Sequence, residues 1–194
     1  MKMLRIALVF FLSSVFLNAS GDKNPLLLIK TEIGNIEVEI FQSKAPISAG
    51  NFLKHVDHGV YKNSYFYRTV TPDNQPDNKI KIEVIQGGIL DKADKYPPII
   101  HENTKETGIL HRDGTISYAR NEPGTATTEF FICIGDQPDL DYGGRRNPDR
   151  QGFAAFGRVI KGMDVVREIH ARNSEKQMLK PKIKIFNIER LKEG

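Results

Sequence analysis

Short apolar segments of period two, cut apart by Gly, Pro and Asn, set the tightest limit on how this chain folds. In Asn35–Ile40, Ile36, Val38 and Ile40 alternate strictly with Glu37 and Glu39, so one face enters a core and the other meets water. Leu26-Leu27-Leu28-Ile29-Lys30 precedes it, and Ile33-Gly34-Asn35 between the two is a hairpin turn signal. Segments of the same kind recur at 64–71, at 80–86 closed by Gly87-Gly88, at 115–120, at 127–134, at 153–160 and at 183–188. In the first of these Phe66, Arg68 and Val70 fall on one face, opposite Tyr65, Tyr67 and Thr69; in the last, Ile183, Ile185 and Asn187 oppose Lys184, Phe186 and Ile188.

Two stretches carry a helical period instead. Pro46 suits a first turn, and Ala49, Phe52, Leu53 and Val56 follow at helical spacing until Gly59. Asp164 can cap a shorter helix bearing Val165, Val166 and Ile169. A further helical turn is expected near 103–107 within the Pro- and charge-rich loop 91–112. Many short strands with two helices and long loops point to a mainly β protein, a closed or nearly closed antiparallel barrel with helices over its ends.

The centre of the pattern is Thr115–Ile134. Asn121-Glu122-Pro123-Gly124 separates its two strands, and the adjacent Phe130 and Phe131 must point to opposite faces, one into a core. Cys133, the only cysteine, excludes an intramolecular disulfide and reads as a small buried hydrophobe. His55 and His58 lie three apart on the first helix with no Cys or carboxylate cluster at ligand spacing, so solvated or capping histidines are expected and no metal. Loop 135–152 mixes Arg145, Arg146 and Arg150 with Asp136, Asp139, Asp141 and Asp149, which reads as a solvated surface. Thr71–Lys79 is polar and turn-rich, an inserted loop or extended hairpin tip.

Residues 1–19 read as a secretory signal: Lys2 and Arg5, a mostly apolar run from Ile6 to Leu17, then Asn18-Ala19-Ser20. Residues 20–25 are a short lead-in to a domain spanning 26–194. Losing Lys2 and Arg5 takes the basic residues from 28 to 26 against 24 acidic ones, a balance that argues against nucleic acid.

Taken together, Tyr65-Phe66-Tyr67-Arg68, Val84-Ile85-Gln86-Gly87-Gly88, the Thr115–Ile134 stretch and Ala154-Ala155-Phe156-Gly157-Arg158-Val159 resemble the cyclophilin-type peptidyl-prolyl cis/trans isomerases over roughly residues 26 to 190. Arg120 and Phe153 resemble the exported prokaryotic branch. The resemblance implies an eight-stranded barrel with two helices, an isomerase of Xaa-Pro bonds without cofactor, and proline-containing segments of unfolded or partly folded exported proteins as partners. A monomer in the periplasm is expected.

By the same resemblance Arg68 is the catalytic arginine, Phe131 the floor of a proline pocket with Val84 and Leu140 at its walls, Gln86 a group that positions Arg68 and substrate, and Ala119 a backbone contact to the peptide. Glu129 stands where the family has Gln, Phe153 where it has His, Arg120 where it has Asn, Glu83 where it commonly has a pocket Phe, and Asp139 where it usually has Trp. Glu83 and Asp139 would therefore strip apolar surface from the pocket. Glu129 could pair with Arg68, either holding it or competing with substrate. A proline-peptide-binding or chaperone module with weak catalysis is the alternative these changes suggest.

Overall fold

The computed structural model describes residues 23–90 and 93–191; the expected signal segment lies outside the described residues. Strands β1 (Leu26–Thr31) and β2 (Asn35–Ile40) form the expected hairpin, followed by helix α1 (Pro46–Asp57). Next come β3 (Ser64–Val70), β4 (Val84–Gly88), a single helical turn α2 (Thr104–Thr107), β5 (Thr115–Tyr118) and β6 (Phe130–Cys133). The chain then runs through β7 (Ala154–Lys161), α3 (Met163–His170), the two-residue β8 (Ser174–Glu175) and the long β9 (Met178–Arg190).

All pairings are antiparallel, in the order β1-β2-β7-β5-β6-β4-β3-β9, and β9 pairs back to β1. That closes an eight-stranded barrel with no open edge, while β8 is a short ribbon on the end of β9. Leu27, Ile29, Ile36, Val38, Ile85, Ile116, Phe130 and Ile132 fill the interior, each fully buried. α1 touches β7 and β9, and α3 touches β2, β3 and β4; each helix contacts strands that are not all neighbours, as a plug across a barrel mouth must. The α1 N-terminus has no cap of its own. Instead Glu102, remote in sequence, accepts from the Ile47 and Ser48 amides at 3.3 and 2.8 Å, offsetting the positive end of the helix.

Several expectations need correction. α3 starts two residues earlier than an Asp164 cap would set it, after Gly162 at φ +90°, and Asp164 lies inside the first turn. A Cβ on Gly162 would stand 2.4 Å from the Asn35 carbonyl oxygen, so close packing against β2 decides this start. In β9 the alternation fails after Ile185: Phe186 is the extra residue of a bulge opposite Lys30 and Thr31, and Ile188 turns inward, 1% exposed. β4 begins at Val84 rather than Ile80, because the Ile82 amide and carbonyl bond the buried Gln75 side chain instead of a neighbouring strand. The Thr71–Lys79 insertion is thus anchored, not a free tip. His58 does cap α1, through Nδ1 and the Lys54 carbonyl, but His55 is not solvated: it is 5% exposed and packs on the rings of Tyr61 and Tyr96.

Candidate active site

A bulge in β3 creates the site. Phe66 pairs with Gly87 and Arg68 with Gln86, leaving Tyr67 as an inserted residue. Phe66 therefore enters the barrel core, whereas Val70 joins a second apolar cluster on the outer face and Arg68 stands beside Gln86 there. Phe66, Arg68 and Val70 do not share a face, contrary to strict alternation, because one extra residue inverts it. The adjacent phenylalanines of β6 divide as expected: Phe130 is in the interior, and Phe131 lies in the outer cluster with Val70, Ile82, Val84, Cys133 and Leu140.

The cluster floors a cleft of about 390 Å³, and all eight residues singled out in the sequence, Arg68, Val84, Gln86, Ala119, Glu129, Phe131, Leu140 and Phe153, line it. Phe131 is 4% exposed and meets Phe153 edge-on at 5.4 Å between centroids. His111, which no sequence signal marked, lies nearly parallel to Phe131 at 5.8 Å. It is fixed by Nδ1 to Asp141 at 2.8 Å and Nε2 to Ser117 Oγ at 3.0 Å. Burial lowers its pKa despite the opposing carboxylate, which favours a neutral ring behind the apolar floor. Arg120 also lines the cleft; it is clamped by Asp149 and the Gly152 carbonyl, and lies 5.1 Å over the Phe153 ring.

Among the described residues, Arg68 is held only by neutral acceptors. Nη1 donates to Gln86 Oε1 at 2.8 Å, while Nε and Nη2 donate to Gln177 Oε1 at 3.0 and 2.6 Å. Gln177 comes from the tight β8–β9 turn, with φ +74°, and its amide nitrogen donates to the Asn74 carbonyl in the insertion. The sequence offers no sign of this contact, 109 residues away from Arg68. Burial draws the Arg68 pKa down, yet a guanidinium remains charged near neutrality.

Glu129 does not pair with Arg68. One oxygen accepts from the Ile89 and Leu90 amides at 2.9 and 3.0 Å and from Thr128 Oγ1 at 3.2 Å, and the other from the Tyr67 hydroxyl. Gln86 Nε2 in turn donates to the Tyr67 oxygen at 2.7 Å, so a chain of bonds runs Arg68–Gln86–Tyr67–Glu129. Burial and the neighbouring carboxylate push the Tyr67 phenol up, keeping it protonated and able to donate. Room for Glu129 comes from Gly88, at φ +147°: a Cβ there would lie 2.4 Å from the carboxylate. Of the five departures noted in the sequence, Glu83 and Asp139 lie outside the cleft lining. Asp139 is taken by the Arg145 amide and guanidinium, each at 3.1 Å, and Ile82 rather than Glu83 supplies the wall. The expectation of a solvated loop for 135–152 fails at Arg146, which is partly buried and lines the cleft.

The family model for cyclophilin type peptidyl-prolyl cis-trans isomerase matches residues 26–190. A peptidyl-prolyl cis-trans isomerase of Acinetobacter baylyi is 34% identical over 166 residues, which cover 85% of this chain and 81% of the relative. Peptidyl-prolyl cis-trans isomerase A of Dickeya dadantii is 35% identical over 154 residues, covering 77% and 73%. A crystal structure of a Cryptosporidium parvum cyclophilin type isomerase superposes with a TM-score of 0.70 at 22% identity, over 88% of this chain and 99% of the other, a likeness of fold. Sequence relatedness across the barrel and its outer cleft agrees with the architecture, and this chain belongs to the cyclophilin-type peptidyl-prolyl cis-trans isomerases.

Proposed function

We propose that Arg68 and Phe131 are the working pair of this isomerase, and that its substrates are proline-containing segments of exported proteins. Rotating an Xaa-Pro bond must overcome about 18–20 kcal/mol of lost amide resonance, with no covalent bond broken. In the twisted state the prolyl nitrogen becomes pyramidal and accepts a hydrogen bond, so a donor that meets it there lowers the barrier selectively. The observation that carries the reading is the hydrogen-bonding of Arg68: among the described residues its three bonds go to neutral glutamine oxygens, leaving donors and full charge for a peptide. Phe131, Val84, Ile82 and Leu140 offer the apolar seat for the proline ring on the same cleft. Gln86 positions Arg68, and Ala119, whose own amide is satisfied by the Glu129 carbonyl at 2.8 Å, presents backbone to a passing peptide. Phe153 keeps an apolar wall and Glu129 acts from behind, through Tyr67.

Cis-to-trans relaxation of a blocked Xaa-Pro peptide tests this directly. Arg68→Ala is expected to lose about 100-fold in kcat/KM, and equal rates for the variant and the parent chain would refute the role of Arg68. Peptide binding without turnover in the parent chain would favour the holding module instead. Residues 1–19 support export to the periplasm; N-terminal sequencing of the protein recovered from cell fractions should find a periplasmic chain starting near residue 20. Recovery of an uncleaved cytoplasmic chain would refute it.

A further inference from the structure

Arg68 shares its cleft with a second guanidinium. Arg146 reaches it from the 135–152 loop and donates through Nη1 to Gln75 Oε1 at 2.9 Å and to the Ile80 carbonyl at 2.6 Å. Those acceptors are neutral, as are both that hold Arg68. Of the other charges lining the cleft, Arg120 is cancelled by Asp149 at 2.8 Å, while the Glu129 carboxylate is held by the neutral donors Tyr67, Thr128 and the 89–90 amides, so the two guanidinium charges outweigh a single carboxylate. Among the described residues, neither Arg68 nor Arg146 forms a salt bridge. Two partly desolvated like charges on one cleft raise its potential, and an anion entering between them gains from both. Burial first, and then the charge of Arg68 on the same cleft, pull the Arg146 pKa down.

We propose that Arg146 makes this cleft selective for an acidic side chain directly flanking the proline, so that segments with Asp or Glu beside proline are the favoured substrates. The inference rests on the reading of the cleft as the proline-peptide site. Placement supports it: Arg146 is tied to Ile80, two residues from the Ile82 that packs in the same cluster as Phe131, so its charge stands at the wall of the proline seat. A tether for the insertion alone would need a donor, not a charge. The neighbouring Arg145 differs, being exposed and matched to Asp139.

The test uses blocked peptides of the form Ala-Xaa-Pro-Phe and Ala-Ala-Pro-Xaa, with Xaa as Glu, Gln or Lys. Isomerisation rates and calorimetric affinities are both measured at low ionic strength. At one of the two positions Glu should exceed Gln by about five-fold, the upper range for a partly exposed ion pair, with Lys below Gln. Arg146→Gln should bring the Glu-to-Gln ratio near one, whereas Arg146→Lys, which keeps the charge but weakens the tether, should retain most of it. Added salt should shrink the ratio in the parent chain. Equal handling of Glu and Gln at both positions, or a ratio unchanged in Arg146→Gln, overturns this inference alone. Failure to bind or turn over any of the six peptides overturns the proline-peptide reading and this inference with it.

Discussion

Replacing Glu129 by Gln, the residue the family pattern has there, should weaken this protein. The carboxylate accepts from four donors: two backbone amides and the Thr128 hydroxyl on one oxygen, and the Tyr67 hydroxyl on the other. An amide of the same shape has one oxygen, so if it faces Ile89 and Leu90 its nitrogen faces Tyr67. The Tyr67 oxygen already accepts a hydrogen bond from Gln86, and its own hydrogen would then lack an acceptor. Bonds to a charged acceptor contribute about 1.5–3 kcal/mol and neutral ones about 0.5–1.5. With several weakened and one lost, and partial exposure of the carboxylate tempering the change, a net loss of about 2 kcal/mol is expected. For a domain of this size that lowers Tm by about 4–8 °C. Thermal unfolding of Glu129→Gln, Tyr67→Phe and the double variant measures it. The two changes should be sub-additive by about 1 kcal/mol, because they remove the same bond. Glu129→Gln as stable as the parent chain, or fully additive changes, would refute the view that Glu129 serves Tyr67.

Other predictions follow from the same contacts. Gln177→Ala removes the acceptor of Arg68 Nε and Nη2 from a half-buried turn residue, so kcat should fall about ten-fold with KM little changed; unaltered kcat would count against Gln177 as a positioning residue. Burial pulls the His55 pKa from 6.5 to about 4, so the unfolded chain binds a proton that the folded chain refuses. Its contribution therefore costs stability as pH falls through 6.5 and levels off near 4, with a limiting slope of about 1.4 kcal/mol per pH unit. His55→Leu should flatten urea-unfolding stability over that window, and an unchanged pH profile would refute the assignment.

The amino-acid sequence by itself determined the class of fold and marked Arg68 and Phe131, which the structure brings to one cleft. Period-two segments ending at Gly and Pro can bury their apolar faces in very few ways, and adjacent aromatic residues on a strand must split between faces, as Phe130 and Phe131 do. Cys133, read as a small buried residue, is fully buried with its thiol pKa raised by desolvation. The tertiary structure alone decided where alternation breaks. Bulges at Tyr67 and Phe186 depend on how β3 and β9 register against their partners, which no local pattern encodes. It alone decided the fate of each charge as well. Glu129 could have met Arg68, but the 89–90 amides and Tyr67 claim it; Arg146 could have been solvent-facing like Arg145, but Gln75 and the Ile80 carbonyl draw it to the cleft. Charge pairing is settled by which donors and acceptors the folded backbone leaves within about 3 Å, and those come from residues far apart in the chain.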